Sequence, residues 1–320
     1  MQEDWSTYWS NLLDAEKLQG KVDDLDYVFP NNPIEVICHA VYDHYSVYKD
    51  KLEAIRLKLM QEVESLPGVH LQKSRVKELD SLLCKIINKK YDKIMDPSDR
   101  YSILTAENYL STLTDLVGIR LILSYRGSWK ELHTAILKHF PLMNPEEYSD
   151  DSLIPLSNDR NFIAEIPHAY YAYGDDISIY KGEFVKPLMK ETGYRSVHYI
   201  LCFSGVYVEI QTRTIYDEAW SDCDHSYVYK HEKNRSHTAL KDLSKILCTY
   251  TNTSNDLGDL MKLVYDQSSI WESENKYYTE STEVFQRLNA LISRYESAQQ
   301  LLLQFQKDLT MKKEGEPYDE

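Results

Sequence analysis

A β-hairpin near the middle of the chain is the feature that most restricts its fold. Two β-rich runs, 197–203 and 206–212, are joined by the two-residue turn Ser204-Gly205, and such runs with a short turn ending in glycine are typical of a hairpin. Successive side chains of a strand point to opposite faces. One face of the second run is therefore apolar, and the other presents Tyr207, Glu209, Gln211 and Arg213.

Helical patterns dominate the rest of the chain. Apolar residues recur at steps of three and four from Ile34 to Val63, which predicts one long helix that begins after Asn32-Pro33 and ends before Pro67-Gly68. The other predicted elements are a short helix and a loop over 1–32, a helix over about 74–93, a strand over 118–123, a helix over 129–140, a strand around 162–173, and only helices after residue 215. The predicted fold class is α+β.

Composition narrows the classes of function. The chain has 320 residues, a net charge of −15 and an isoelectric point near 5.2. Broad nucleic-acid binding needs a basic surface, so this charge argues against it, although a local basic cleft remains compatible. No run of eighteen apolar residues, no signal-peptide pattern and no C-x-x-C pair is present. We expect no membrane span, no DNA partner, reduced thiols and a cytoplasmic location.

Two segments beside the predicted sheet carry groups suited to phosphate and metal binding. Gly193 to His198 brings a flexible glycine, an aromatic ring, a guanidinium and an imidazole to the start of the hairpin. Asp115 lies just before the strand at 118–123, where its carboxylate can offer a hard oxygen ligand to Mg²⁺. An isolated aspartate there is more often a cap, and a polar strand face also suits solvent, so each segment alone leaves both interpretations open.

A third set lies in the helix predicted over 74–93. Lys77, Ser81 and Lys85 are four residues apart and would share one helical stripe, while Arg75 would act from the helix start. Two ammoniums and a hydroxyl on one stripe can clamp phosphates, although three such residues form a solvated face in most helices. A local basic strip is also predicted on this helix, formed by Lys85, Lys89, Lys90 and Lys93.

These segments together resemble the synthetase domain of the RelA/SpoT enzymes. The matching blocks span about residues 40–235 and are Ser74-Arg75-Val76-Lys77…Ser81…Lys85, Asp115-Leu116-Val117-Gly118-Ile119-Arg120, Gly193-Tyr194-Arg195-Ser196-Val197-His198, Val208-Glu209-Ile210-Gln211-Thr212-Arg213-Thr214 and Trp220…His225…Tyr229-Lys230. Each block alone is weak, but the five in this order are specific. The resemblance implies a nucleotidyltransferase-like mixed β-sheet flanked by helices. It also implies a pyrophosphokinase that transfers the β,γ-pyrophosphate of ATP to the 3′-hydroxyl of GDP or GTP, giving (p)ppGpp and AMP.

The resemblance further implies a role for each matching residue. Asp115 and Glu209 resemble the pair that holds the Mg²⁺ cofactor, and Glu209 also resembles the carboxylate that activates the acceptor hydroxyl. The residues implied on the ATP side are Arg75, against adenine, with Lys77, Ser81, Lys85 and Arg120 at the phosphates. The residues implied on the acceptor side are Tyr194, stacked on guanine, with Arg195, His198, Gln211, His225 and Lys230.

One stretch departs from the family pattern. Many relatives have a short segment with lysine and proline before the Gly-Tyr block, whereas residues 175–192 form a longer insert in which Lys186-Pro187 stands for that pair. The identity of the acceptor is therefore the least constrained part of the prediction. Two alternatives remain open: a toxin-type member that pyrophosphorylates the 3′ end of tRNA and has an antitoxin partner, and a non-catalytic nucleotide-binding regulator. The presence of Asp115 and Glu209 argues against the regulator.

We divide the chain into an N-terminal helical region (1–68), a synthetase-like domain (69–235) and a C-terminal helical region (236–320). A small, synthetase-only member is expected, because no His-Asp pair typical of the hydrolase domain is found and little chain follows residue 235. The last region carries an apolar seam that packs within the monomer or forms a homo-oligomer interface. Its members are Phe285, Leu288, Ile292, Tyr295, Gln299, Leu302 and Phe305.

Overall fold

The computed structural model describes residues 4–149, 153–228, 238–273 and 282–314. The helices in these ranges are α1 (Trp5–Glu16), α2 (Gln19–Val28), α3 (Ile34–Val63), α4 (Leu79–Asp92), α5 (Tyr109–Thr112), α6 (Trp129–His139), α7 (Ile215–Tyr227), α8 (Thr238–Ser273) and α9 (Thr282–Glu314). The strands are β1 (Val69–Val76), β2 (Val117–Leu123), β3 (Phe162–Ile163), β4 (His168–Tyr171), β5 (Lys186–Met189), β6 (Ser196–Phe203) and β7 (Val206–Thr214). None of these helices is long and apolar enough to cross a membrane.

All the strands belong to one mixed sheet. Its order is β1-β2-β7-β6-β4-β5, with β3 also paired to β6. β2 is parallel to β7 and β4 is parallel to β5, while the other pairs are antiparallel. Because β1, β2 and β7 are neighbours, their register places polar residues from distant parts of the chain side by side. Two adjacent rows result, Arg75–Gly118–Glu209 and Lys73–Arg120–Gln211.

The opposite face of the sheet packs on the main core. The apolar stripe of α3 lies in one cluster with Leu82 and Ile86 of α4 and with Ile119 of β2 and Ile210 of β7. Full burial of each such side chain is worth about 1.5–3 kcal/mol relative to leaving it exposed. This packing, more than helix propensity, keeps a helix of 30 residues together. The buried members of the stripe are Ile34, Ile37, Val41, Tyr45, Leu52, Ile55, Leu59 and Val63.

The polar face of the sheet is partly covered. Tyr207, on the same face as Glu209, is buried in a second cluster with Phe162 and Ile200. At the other end of β7, α7 lies against the sheet and buries Glu218. The middle of the face, between these two covers, stays open.

The α+β prediction is confirmed, with a mixed sheet flanked by helices and helical extensions at both ends. The long helix at 34–63, the strand at 118–123, the helix at 129–140 and the hairpin are also confirmed. The hairpin turn has positive φ at both Ser204 (50°) and Gly205 (78°), as in a type I′ turn, whose twist matches that of the flanking strands.

Other predicted elements are wrong in extent. Residues 1–32 contain two helices, α1 and α2, and the stretch 162–173 contains two short strands, β3 and β4. The helix predicted over 74–93 begins only at Leu79, because the preceding Val69–Val76 pairs with β2 as an edge strand. Hydrogen bonding to a strand more than forty residues away decides the state of this polar segment, and no local pattern marks it. The edge strand β5 likewise had no prediction.

The predicted C-terminal seam does not face α8. α9 instead packs through Val284, Leu291 and Ala298, which are buried. Phe285 and Ile292 of the seam remain 54% and 55% exposed. The helices were predicted correctly, but two neighbouring apolar stripes on one helix give the sequence no means of choosing which of them is buried.

Candidate active site

The open part of the polar sheet face is a cavity of about 250 Å³. At its floor lies Gly118, where an added Cβ would meet no atom within 4 Å. Asp115, from the loop before β2, and Glu209, from the hairpin, line the same cavity. The parallel pairing of β2 with β7 therefore brings together two carboxylates that are far apart in sequence. The other polar lining residues are Lys73, Ser74, Arg75, Arg120 and Gln211.

Two lysines clamp Asp115. Lys77 donates from Nζ to Oδ2 at 2.8 Å, and the Nζ of Lys85 lies 2.7 Å from Oδ1. Lys77 follows β1 directly and is fixed by its backbone N–H, which donates to the carbonyl of Leu116 at 2.9 Å, whereas Lys85 comes from α4. Burial acts to raise the pKa of Asp115, but the two ammoniums outweigh it and lower the pKa to about 2. Asp115 is thus ionised at neutral pH.

Glu209 belongs to a closed ring of hydrogen-bonded side chains. The Nδ1 of His198 lies 3.1 Å from its Oε1, and Gln211 donates to its Oε2 at 2.7 Å. The Nε2 of His198 is 2.8 Å from the hydroxyl of Tyr194. Arg213 closes the ring by donating to Tyr194 at 2.8 Å and to the side-chain oxygen of Gln211 at 2.5 Å.

The donor and the acceptor of the hydrogen bonds around this ring can be assigned. Arg213 has only donors, so the Tyr194 hydroxyl accepts from it and donates to the Nε2 of His198. The proton of a neutral His198, assigned from this hydrogen-bond pattern, then lies on Nδ1 and points to Glu209. Burial acts to raise the pKa of Glu209, but the hydrogen bond from His198 contributes to a net downward shift. The contacts of His198 and of Gln211 with Glu209 therefore both stabilise its ionised carboxylate.

Aromatic and cationic side chains border the ring on the side away from Asp115. The ring of Tyr170 meets His198 edge-on at 4.8 Å and lies 5.9 Å from Tyr194. The guanidinium of Arg213 is 5.1 Å from the centre of the Tyr194 ring, and the ammonium of Lys190 is 4.8 Å from that of Tyr170. Flat rings beside positive charges suit a base and its phosphates.

α7 places two further acids beside the cations of the cavity. Glu218 Oε1 lies 2.8 Å from the Nζ of Lys73 and 3.0 Å from a guanidinium nitrogen of Arg120. Its Oε2 is 3.4 Å from Arg213. One turn later, Asp222 lies 3.4 Å from Lys73 and 3.3 Å from Arg120. The cations on this face are therefore partly neutralised from within the chain.

The sequence of this region matches one family model. Residues 74–234 match the model described as the region found in RelA / SpoT proteins. The chain belongs to the RelA/SpoT family. The match confirms the family indicated by the five sequence blocks and, with it, the enzyme class, a pyrophosphokinase of the RelA/SpoT type.

Three solved structures that this chain resembles come from two bacterial species. A GTP pyrophosphokinase family protein from Streptococcus pneumoniae is 17% identical, with a TM-score of 0.44 over 72% of this chain and 94% of that one. The small alarmone synthetase 1 of Bacillus subtilis bound to its product pppGpp is 19% identical, with a TM-score of 0.38 over 71% and 93%. Small alarmone synthetase 2 of the same species is 19% identical, with a TM-score of 0.40 over 70% and 97%. A search of curated protein sequences gives no significant match.

The structure of this RelA/SpoT-family chain brings most of the predicted site residues to one face of the sheet. The ones that line the cavity, clamp Asp115 or belong to the ring are Arg75, Lys77, Lys85, Asp115, Arg120, Tyr194, His198, Glu209 and Gln211. Ser81 is exposed in the first turn of α4, and His225 is exposed in the last turn of α7. Lys230 lies outside the described residues.

Arg195 points away from this face. Its guanidinium donates to both carboxylate oxygens of Asp175, at 2.7 and 2.9 Å, and to the carbonyl of Gly193 at 3.1 Å. It also donates to the Sγ of Cys248, on α8, at 3.2 Å. Arg195 thus anchors the turn that precedes β6 to the insert and to the C-terminal region, while the adjacent Tyr194 faces the ring.

The basic strip predicted on α4 is not a continuous solvated surface. Lys90 is 4% exposed and donates to the carbonyls of Ser102 and Leu104 at 2.6 and 3.0 Å. Its burial lowers its pKa. Lys93 is paired with Asp99 at 3.1 Å. Two of the four lysines therefore stabilise the loop after α4, and the strip was wrongly predicted because a helical pattern does not show which loop folds back on it.

The carboxylates of the cavity would suit a magnesium ion if a bound ligand supplied the remaining oxygen atoms. Among the residues that the structure describes, no group of three or more His, Cys, Asp or Glu side chains could hold a metal. Asp115 and Glu209 nevertheless offer two ionised carboxylates in one cavity, and the charge of Asp115 acts on the pKa of Glu209. Mg²⁺ is typically held by one or two carboxylates together with substrate phosphates and water.

Sequence reasoning missed several side chains of this face. Lys73, Tyr170, Lys190 and Glu218 lie outside the recognised blocks, and Asp222 lies inside one without being singled out. The spacing of the last two, four residues apart on a helix, was the one available signal that they share a face.

Proposed function

We propose that this chain is a Mg²⁺-dependent pyrophosphokinase that transfers the β,γ-pyrophosphate of ATP to the 3′-hydroxyl of GDP or GTP, giving (p)ppGpp and AMP. One observation carries the proposal. Glu209 lies where two different half-sites meet, a cation-lined cavity with Asp115 on one side and an aromatic ring system with Tyr194 and His198 on the other. Transfer between two nucleotides requires such a meeting point.

The donor half supplies charge and position. Lys77, Lys85 and Arg120 provide cations for the phosphates of ATP, and the guanidinium of Arg75, an exposed residue, provides a flat surface for adenine. Phosphoryl-type transfer depends mainly on in-line positioning and on neutralised phosphate charge. Bound Mg²⁺, held by Asp115 and by Glu209, would supply a large part of that neutralisation.

The acceptor half of the site supplies the general base, which is Glu209. His198 and Gln211 fix both oxygens of Glu209, so the carboxylate can accept the proton of the 3′-hydroxyl without reorienting. A positioned general base contributes about 10²–10⁴-fold to the rate. The Tyr194 ring offers a surface for the acceptor base, worth roughly 1–3 kcal/mol by analogy with single-stranded nucleic acids. The choice of guanine comes from the family resemblance alone.

Two observations support a mononucleotide acceptor over tRNA. The chain carries a net charge of −15, and the helix expected to offer a basic strip uses Lys90 and Lys93 internally. A tRNA backbone would need an extended positive surface.

Parallel incubations with one labelled donor test the proposal. The protein, Mg²⁺ and ATP labelled at its γ-phosphate are combined with GDP, with GTP or with bulk tRNA, and the products are separated. We expect label in a guanosine product. Label in tRNA would instead support the toxin-type alternative, and no transfer to any acceptor would leave the non-catalytic regulator.

Replacement of Glu209 tests its role as the base. We expect Glu209→Gln to lower kcat by at least about 10²-fold, because the amide cannot accept the proton, while binding of an ATP analogue persists. Glu64→Gln, an exposed site at the end of α3, is the matched control and should keep full activity. Equal activity of Glu209→Gln and the control would refute the role given to Glu209.

A further inference from the structure

Two cations at the edge of the cavity already have carboxylate partners. Lys73 and Arg120 both line the cavity and both contact Glu218 and Asp222. The two acids differ in burial, because the side chain of Glu218 is 6% exposed and that of Asp222 is 53% exposed. They are therefore not equivalent partners.

Asp222 bridges the cations as a bound anion would. Its Oδ1 lies 3.3 Å from Arg120, and its Oδ2 lies 3.4 Å from Lys73. Each oxygen thus faces one cation across a long, half-exposed contact. Glu218 makes the shorter contacts, 2.8 and 3.0 Å, from a buried position.

Solvent exposure decides which contact can be released. Exposed ion pairs are weak, so Asp222 can leave Lys73 and Arg120 at little cost. Removal of one partner from a buried pair leaves an uncompensated charge and is far more costly. Glu218 therefore stays in place and orients the two cations, whereas Asp222 is exchangeable.

We infer that Asp222 is an internal competitor for phosphate, holding the Lys73–Arg120 pair when no nucleotide is bound and yielding it to the phosphates of the donor. This inference rests on the proposed function, since it assigns these cations to the donor half of the site. It predicts that Asp222 lowers the affinity for every phosphate ligand that uses the pair. When a nucleotide binds, its phosphate then replaces the carboxylate of Asp222 at these two cations.

Calorimetric titration of Asp222→Asn tests the inference. Two ligands are used. One is AMPCPP, an ATP analogue that cannot complete the transfer, together with Mg²⁺, and the other is inorganic pyrophosphate. We expect both to bind about threefold to tenfold more tightly to the variant, as loss of two screened ion pairs implies. Asp24→Asn, an exposed site on α2, makes the same change in net charge and should bind as the wild type does.

A second background separates competition from a general charge effect. In the Lys73→Met background, the further change Asp222→Asn should improve binding by much less, because one of the two cations that Asp222 contacts is already absent. Equal improvement in both backgrounds, or unchanged or weaker binding of Asp222→Asn alone, would overturn the inference. So would failure of both ligands to bind either the wild type or the variant.

The two probes also distinguish this inference from the proposed function. If no acceptor is labelled and AMPCPP does not bind, the proposed function fails. Tighter binding of pyrophosphate to Asp222→Asn would then still show that Asp222 competes for an anion site, and unchanged pyrophosphate binding would refute both.

Discussion

Replacement of Asp115 by Asn removes a carboxylate that two ammoniums hold in the folded protein. Lys77 and Lys85 lie 2.8 and 2.7 Å from its oxygens, and its side chain is 22% exposed. In the variant both lysines keep their charge and lose the group that neutralises them. We therefore expect Asp115→Asn to be less stable than the wild type at neutral pH, and the difference to depend on pH in a defined direction.

The direction of this pH dependence follows from the lowered pKa of Asp115. Asp115 titrates near 3.8 when unperturbed and at about 2 in the folded state, so the unfolded chain binds the proton more readily. Its contribution to the free energy of unfolding is complete above pH 3.8 and is lost as the pH falls towards 2. The shift corresponds to about 2 kcal/mol, of which about 1 kcal/mol is lost between pH 5 and pH 3.

Urea unfolding of both proteins at pH 7, 5 and 3 measures this contribution. The stability difference between wild type and Asp115→Asn should be the same at pH 7 and pH 5 and should shrink by about 1 kcal/mol at pH 3. The other carboxyls titrate in both proteins, so their effects largely cancel in the difference. A difference that stayed constant down to pH 3 would show that the lysines do not hold Asp115 as a carboxylate.

Two further predictions concern positions beside the site and in the core. An added Cβ at Gly193, where φ is 88°, would lie 2.5 Å from the Sγ of Cys248; Gly193→Ala should therefore displace Tyr194 and raise the acceptor KM by about tenfold, with strain of roughly 1–3 kcal/mol. AMPCPP should still bind to Gly193→Ala. Adding Cys248→Ala to that variant should remove the clash with Sγ but not the backbone strain at residue 193, so the acceptor KM should recover only in part. A normal acceptor KM in Gly193→Ala would contradict this reasoning. His133 is fully buried, with its Nδ1 3.0 Å from the hydroxyl of Tyr199, and burial lowers its pKa to about 4. Its neutral form is favoured by folding, so stability is complete above pH 6.5 and falls as the pH drops towards 4; the wild type should lose about 2 kcal/mol relative to His133→Phe between pH 7.5 and pH 5 in urea unfolding, and a parallel loss in both proteins would exclude His133 as the cause.

Much of the site was predictable as chemistry but not as geometry. Asp115, Glu209, Tyr194 and His198 were identified from residue type and order. Lys77 shows the limit, because it was placed on a helix and in fact follows an edge strand, yet its ammonium still reaches Asp115. The helix predicted to carry Lys77 was therefore wrong, and its role as a contact to the phosphates of ATP stays a prediction.

Side chains that act through long-range contacts were the ones missed or misplaced. Asp222 and Lys73 are 149 residues apart in the chain and meet only because α7 docks beside β1 and β2. Arg195 was assigned to the acceptor, but Asp175 and Cys248 hold its guanidinium on the other side of the turn. Residue type predicts that a guanidinium finds a partner, and it does not predict which of several carboxylates is near.

The amino-acid sequence by itself determined the α+β class, the hairpin turn, the long helix and the family, because each of these depends on local periodicity, on turn chemistry or on short blocks of neighbouring residues. Only the tertiary structure decided which rows of the sheet share a cavity, which lysines are buried and which face of α9 packs. Those outcomes depend on strand register and on helix docking, and both are set by contacts between segments that the one-dimensional pattern treats as independent.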